Sequence, residues 1–242
     1  MTKRKDTSAR RRKGYAADTH RPLNCLAFIL LPLLFFQVGA GYYGTNLFAA
    51  RDLNKLLRYF GGTAPYLPAV LVIVVMLIQH MARRDPWKVQ GKVLAGMLGE
   101  AALWAAPLVA MNYLAQLALA AAAAENSHAV LQKLLPLVGA GVYEEFLFRL
   151  LLISLILLIF VDIFELKKEI ILIAAVALSG VLFGLYHFSW DQITGQFDFP
   201  WREFIFLFLA GIYLAGLFIL RGFGVCVGAH ILYNGYALAT GY

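Results

Sequence analysis

The sequence predicts an all-α fold, a polytopic transmembrane helix bundle of about seven spans, and three observations predict it. Of the 242 residues, 61% are hydrophobic and only 14% charged, with a mean hydropathy of +0.72. The apolar residues fall in several runs that reach or approach the ~20 residues a helix needs to cross the hydrocarbon core. No polar stretch between them is long enough for a separate soluble domain, so residues 23–242 read as a single transmembrane domain behind a basic cytoplasmic tail at 1–22.

The net charge of +7 does not indicate nucleic acid, because the excess sits mainly at the start of the chain. Lys3, Arg4, Lys5, Arg10, Arg11, Arg12, Lys13 and Arg21 precede the first apolar segment, where they act as a topology signal and can touch anionic membrane lipid. Cys25 and Cys226 both fall in apolar runs and form neither a metal-type spacing nor a disulfide framework.

The first span is 23–43. Val38-Gly39-Ala40 offers the small residues of a signal-peptide cleavage point, but the apolar region continues past them, as in an uncleaved anchor. From 46 to 60, Ala49, Leu53, Leu56, Leu57 and Phe60 recur at helical spacing with Arg51, Asn54, Lys55 and Arg58 between them, the pattern of an amphipathic helix on the membrane surface or, equally, of an ordinary connecting helix. Gly61-Gly62 and Pro65 end it, and 66–81 is a second span. A basic turn (Arg83, Arg84, Lys88, Lys92) leads to a third span from 93 to about 124, long enough to tilt, kink at Pro107 or protrude, with Glu100 and His128 read as interfacial residues and the 118–124 alanine tract as a close-packing face. Spans follow at 134–160, 170–187, 204–220 and from 225 to near the C-terminus. With the N-terminus inside, fifteen Lys and Arg fall on inner segments and five on outer ones, with Arg149 inside the membrane. The cations at 51–58 are the part of the chain that this layout serves worst.

The fourth span carries the chemistry. Glu144, Glu145 and Arg149 lie between two apolar runs, and each charged side chain at mid-span costs roughly 2.5–3.5 kcal/mol on the translocon scale. At about 100° per residue, Glu145 and Arg149 stand one turn apart on one face, acid first, the better order for an i, i+4 pair. Glu144 points about a quarter turn away, which leaves it for work. Downstream, His187 closes the fifth span one turn after Phe183, and His230 and Asn234 stand at i and i+4 on the seventh. A carboxylate, two imidazoles and an amide on three helices supply the parts for peptide hydrolysis: the carboxylate takes a proton from water, an imidazole helps hold that water, and the second imidazole and the amide donate to the oxyanion. No metal is favoured, but Glu144, His187 and His230 could instead ligate Zn²⁺ as the one candidate cofactor, and the sequence does not choose.

These residues resemble a known set. Glu144-Glu145-x-x-x-Arg149, Phe183-x-x-x-His187 and His230-x-x-x-Asn234, in that order on three late helices, are similar to the three motifs of the CPBP (CAAX protease and bacteriocin-processing, or Abi) family of intramembrane proteases. The resemblance covers the catalytic core at 134–242. It implies an intramembrane endopeptidase acting on a lipidated or hydrophobic peptide or protein. In that reading Glu144 is the catalytic glutamate, Glu145, Arg149 and Phe183 support the site, His187 helps activate water, and His230 with Asn234 stabilises the oxyanion. Leu150 stands where the family commonly has glycine.

Two other classes fit an intramembrane Glu/His set: a proton- or ion-coupled transporter, and a non-catalytic immunity or scaffold protein on the same fold. A polar cavity between the late helices is expected in any case, because upright ideal helices would place His187 near one face, Glu144 about mid-membrane and His230 toward the other face. The loop at 189–200, with Trp190, Asp191, Asp198 and Phe199, reads as an interface anchor.

Overall fold

The computed structural model describes residues 14–43, 47–59, 66–117 and 130–240. The 118–124 alanine tract, His128 and most of the basic tail lie outside the described residues. With no water in the hydrocarbon core, a spanning backbone must satisfy its own N–H and C=O groups, and the chain accordingly forms helices in the order α1 (Tyr15–Asp18), α2 (Pro22–Tyr43), α3 (Phe48–Tyr59), α4 (Leu67–Arg83), α5 (Gly91–Leu117), α6 (Val130–Glu145), α7 (Leu152–Leu157), α8 (Lys168–Leu185), α9 (Trp190–Ile193), α10 (Trp201–Arg221) and α11 (Phe223–Thr240).

Five stretches are long and apolar enough to cross a membrane: Pro22–Tyr43, Gly91–Ala115, Lys133–Ile163, Lys168–Leu185 and Trp201–Arg221. The two remaining predicted spans are also helices. Helix α4 is apolar but only 17 residues long. Helix α11 carries His230 and Asn234; its first half, Phe223 to His230, is enclosed by protein, while Leu232 and Tyr236 in its second half are exposed. Gly224 and Gly228 permit that enclosure: a Cβ on Gly228 would lie 2.7 Å from the Cβ of Ala101 on α5, the close approach that small residues four apart allow.

The alternation of chain ends predicted from hydropathy is observed. At one end, Arg83 Nη1 donates to the His20 carbonyl (2.8 Å), His20 Nε2 meets the Leu220 carbonyl (3.1 Å), and Arg221 pairs with Glu100. At the other, Tyr186 Oη, just past α8, donates to Asp52 Oδ2 on α3 at 2.7 Å.

Glu100 pairs with Arg221 between α5 and α10. Two expectations are corrected. Residues 14–21 are not a loose tail: α1 packs against the bundle, Thr19 is fully buried, and Cys25 Sγ donates to the Thr19 carbonyl at 3.0 Å. The fourth span is not one regular α-helix, since π-helical turns at Phe146–Leu151 and Leu158–Ile163 interrupt it. A π turn bonds i to i+5 and widens the helix, a feature concentrated at functional sites. Here Ser179 Oγ of α8 donates to the Phe148 carbonyl within the widened turn at 2.8 Å.

Candidate active site

Glu144 and Glu145 are the last residues of α6, and Arg149 lies in the π turn that follows. Glu145 is completely buried and fully engaged. Its Oε1 is 2.7 Å from His230 Nδ1, and its Oε2 is 3.2 Å from Arg149 Nε and accepts from Cys226 Sγ at 3.0 Å. Arg149, equally buried, donates through Nη2 to the Gly211 carbonyl of α10 (3.1 Å) and sets its guanidinium 4.3 Å over the Phe183 ring. A buried ion pair is stabilised when further hydrogen bonds satisfy what is left of each partner; α11 does so for Glu145, while Arg149 has its Nη2 bond to α10 and the Phe183 face, its Nε and Nη1 making no hydrogen bond among the described residues.

Glu144 differs. It is buried, yet among the described residues it makes no hydrogen bond, and the charged or ionisable contact it has is His187 Nε2 at 3.9 Å. His187 sits in the turn after α8 rather than on the helix, with Nδ1 2.8 Å from the Phe183 carbonyl and its ring 4.9 Å from the Phe183 ring. Leaving the helix is what lets His187 reach Glu144. The stretch Lys133–Ile163, at 31 residues, is also longer than a bilayer requires. The Phe183 ring also lies 6.0 Å from the His230 ring, so it lies beside Arg149, His187 and His230 alike.

Asn234 donates to the Leu137 carbonyl of α6 at 3.1 Å, which leaves its second amide hydrogen for another acceptor. The α6–α11 contact is tight at this level, since a Cβ on Gly141 would lie 3.2 Å from the Ile231 backbone nitrogen. All seven residues singled out in the sequence therefore fall in one cluster. Cys226 was missed, although its signal was available: Cys226, His230 and Asn234 repeat every four residues and form one stripe along α11.

Two cavities meet at His187. One, of about 640 Å³, lies among α5, α10 and α11 and is mostly apolar, lined by Leu108, Phe206, Leu207 and Leu214, with His230 and Asn234 at its wall. The other, of about 770 Å³, lies under α3 and α9 and is lined by Arg51, Asp52, Tyr186 and Ser189. Among the described residues no three His, Cys, Asp or Glu side chains gather as a ligand group for a metal.

Residues 126–236 match the family model described as type II CAAX prenyl endopeptidase Rce1-like, in agreement with the CPBP resemblance of the three motifs. No curated protein and no solved structure matches the chain. Over those residues the chain is similar to the CAAX-type intramembrane endopeptidases, and its apolar helices make it a multi-pass integral membrane protein.

Proposed function

We propose, on the premise of that match over residues 126–236, that the protein hydrolyses a peptide bond near a lipidated cysteine of a membrane-associated substrate, with Glu144 as the base that activates water. The observation that carries this reading is the contrast between two adjacent buried acids, one fully bonded and one facing a histidine across 3.9 Å. A polar gap of that width suits a bridging water. With Nδ1 donating to the Phe183 carbonyl, a neutral His187 presents Nε2 as an acceptor. A water between it and Glu144 Oε2 then donates one hydrogen to each and turns a lone pair outward.

As the water oxygen bonds to the scissile carbonyl carbon, its proton passes to Glu144 and the carbonyl π electrons move to oxygen. The oxyanion lies toward His230 and Asn234. His230 donates Nδ1–H to the Glu145 carboxylate, so its Nε2 can donate to an oxyanion only if the ring carries both protons. In that state the charges of Glu144, Glu145, Arg149 and His230 sum to zero. When Glu144 is protonated the cluster becomes +1, and the oxyanion restores neutrality, so the reaction builds no net charge in a low-dielectric site. Collapse breaks the C–N bond, and Glu144 returns its proton to the departing amine. The apolar cavity suits the lipid group of such a substrate.

The test is cleavage of fluorogenic prenylated C-terminal peptides by purified protein in detergent, wild type beside Glu144→Gln, with and without a strong zinc chelator. Wild-type cleavage that survives the chelator and is absent in the variant supports the reading. Loss to the chelator with recovery on Zn²⁺ would instead make Glu144, His187 and His230 metal ligands, and a wild type that cleaves nothing would discard the endopeptidase.

A further inference from the structure

Helix α3 is unexplained by the proposed chemistry. Arg51, Lys55 and Arg58 share one side of it, on a segment that the positive-inside count would have left poor in cations. Asp52 fixes this helix to the site, because its Oδ2 accepts from Tyr186 Oη at 2.7 Å and Tyr186 immediately precedes His187. Arg51 and His187 line the same cavity of about 770 Å³. The Arg51 guanidinium lies 4.6 Å over the Phe48 ring and its Nε is 3.5 Å from Asp52 Oδ1. Lys55 approaches that same oxygen more closely, at 3.3 Å. The two terminal nitrogens of Arg51 make no hydrogen bond among the described residues. A planar fork with free donors, facing a cavity, matches a carboxylate.

We infer that Arg51 binds the terminal carboxylate of the substrate peptide and so makes the enzyme read the free C-terminus. This rests on the endopeptidase reading and deepens it. A prenylated cysteine in a C-a-a-X tail has three residues beyond it, an extended reach of roughly 10 Å. With the lipid group in the apolar cavity and the scissile bond at Glu144 and His187, those three residues enter the cavity that ends at Arg51. Asp52 and Tyr186 set the distance by fastening α3 to the turn that carries His187. Arg51 thus selects substrates by where they end, through binding, and takes no part in bond breaking.

The test compares two prenylated peptides that differ only at the C-terminus, one a free acid and one a primary amide, as a ratio of kcat/KM. Wild type is expected to prefer the acid by about tenfold, the worth of one charge-assisted contact partly screened by solvent. In Arg51→Ala the ratio falls toward 1, and in Arg51→Lys, which keeps the charge but not the fork, it is intermediate. Arg58→Ala, on the same helix but lining only the neighbouring cavity, keeps the wild-type ratio. An equal preference in wild type, an unchanged ratio in both Arg51 variants, or an equal loss on both peptides in Arg51→Ala and Arg58→Ala would overturn the inference, the last pointing to lipid headgroups as the ligand of α3. A wild type that cleaves neither peptide would remove the endopeptidase reading itself, whereas cleavage without discrimination removes only the role of Arg51.

Discussion

Glu144 and Glu145 are neighbours in the chain and opposites in their surroundings. Glu145 holds α6, the π turn and α11 together through Arg149, His230 and Cys226 with no exposed surface. Glu144, one residue earlier, makes no hydrogen bond among the described residues and has His187 at 3.9 Å. The difference teaches how a membrane interior tolerates two acids in a row: one is neutralised and bonded on every side, which fixes the backbone, and the other is then held in a position where its own bonding is left incomplete. Holding an unsatisfied carboxylate in lipid costs folding energy, and that cost is met by the network around its neighbour.

Breaking the neighbour should have the larger effect. Glu145→Ala leaves Arg149 buried and unpaired, a change worth about 3–5 kcal/mol, and it also frees His230 Nδ1. The expected outcome is a large drop in the detergent melting temperature together with loss of cleavage. Full-length protein melting as wild type does would mean that the Glu145 network is not structural. Glu144→Gln separates the two acids from the other side. Glu144 anchors nothing, so folding is expected to stay within about 0.5 kcal/mol of wild type, as for a position away from packing and ion pairs. Cleavage should fall by roughly 10²–10⁴, the usual contribution of a general base. A variant that unfolds, or one that still cleaves, would erase the proposed division of labour.

The helical-face reading of the sequence places Glu145 beside Arg149 because i, i+4 neighbours meet within one turn, and that turn survives at the edge of the π segment. The π segment itself is invisible to such a reading, which assumes 100° per residue throughout. The seven helices are legible because hydropathy is a local signal that lipid makes decisive. What is not legible is tertiary: His230 turning Nδ1 to Glu145, Cys226 closing the same network, Asp52 meeting Tyr186 from 134 residues away, and α1 folding back over the bundle. Residues 14–21 look like a tail in sequence because their composition is polar, while Thr19, at the centre of their packing, satisfies its own hydroxyl on the Ala16 carbonyl. Such self-contained bonding leaves no periodic mark.

The contact between α6 and α11 carries the comparison to the level of packing. A methyl group added by Gly141→Ala would press on Ile231 and its backbone, at a cost of about 1–3 kcal/mol for overpacking. The displaced α11 would weaken the Asn234 bond to Leu137 and the His230 bond to Glu145 together. Melting should fall moderately and kcat should fall more than KM rises. A change in KM alone would place Asn234 in substrate binding rather than in oxyanion stabilisation.

The smallest effect is expected at the Asp52–Tyr186 contact, which bears on Glu144 alone because it holds the turn carrying His187. Partial burial pushes the Asp52 carboxyl up, but the hydrogen bond from Tyr186 and the charges of Lys55 and Arg51 outweigh it and bring the group below its ordinary value. A carboxyl whose folded value is depressed stabilises the fold at pH above its unfolded value of ~3.9, and that contribution is lost as pH falls through the folded value. Asp52 is half-exposed, so Tyr186→Phe should cost only about 0.5–1 kcal/mol at neutral pH. The difference in melting temperature between wild type and variant should persist from neutral pH down to about pH 4 and shrink below it. Cleavage should drop severalfold in the variant as His187 loosens against Glu144, while the Glu145 network, which α3 does not touch, stays intact. A pH-independent difference in melting would show that Tyr186 acts through its ring packing against Phe148, 5.3 Å away, and not through Asp52.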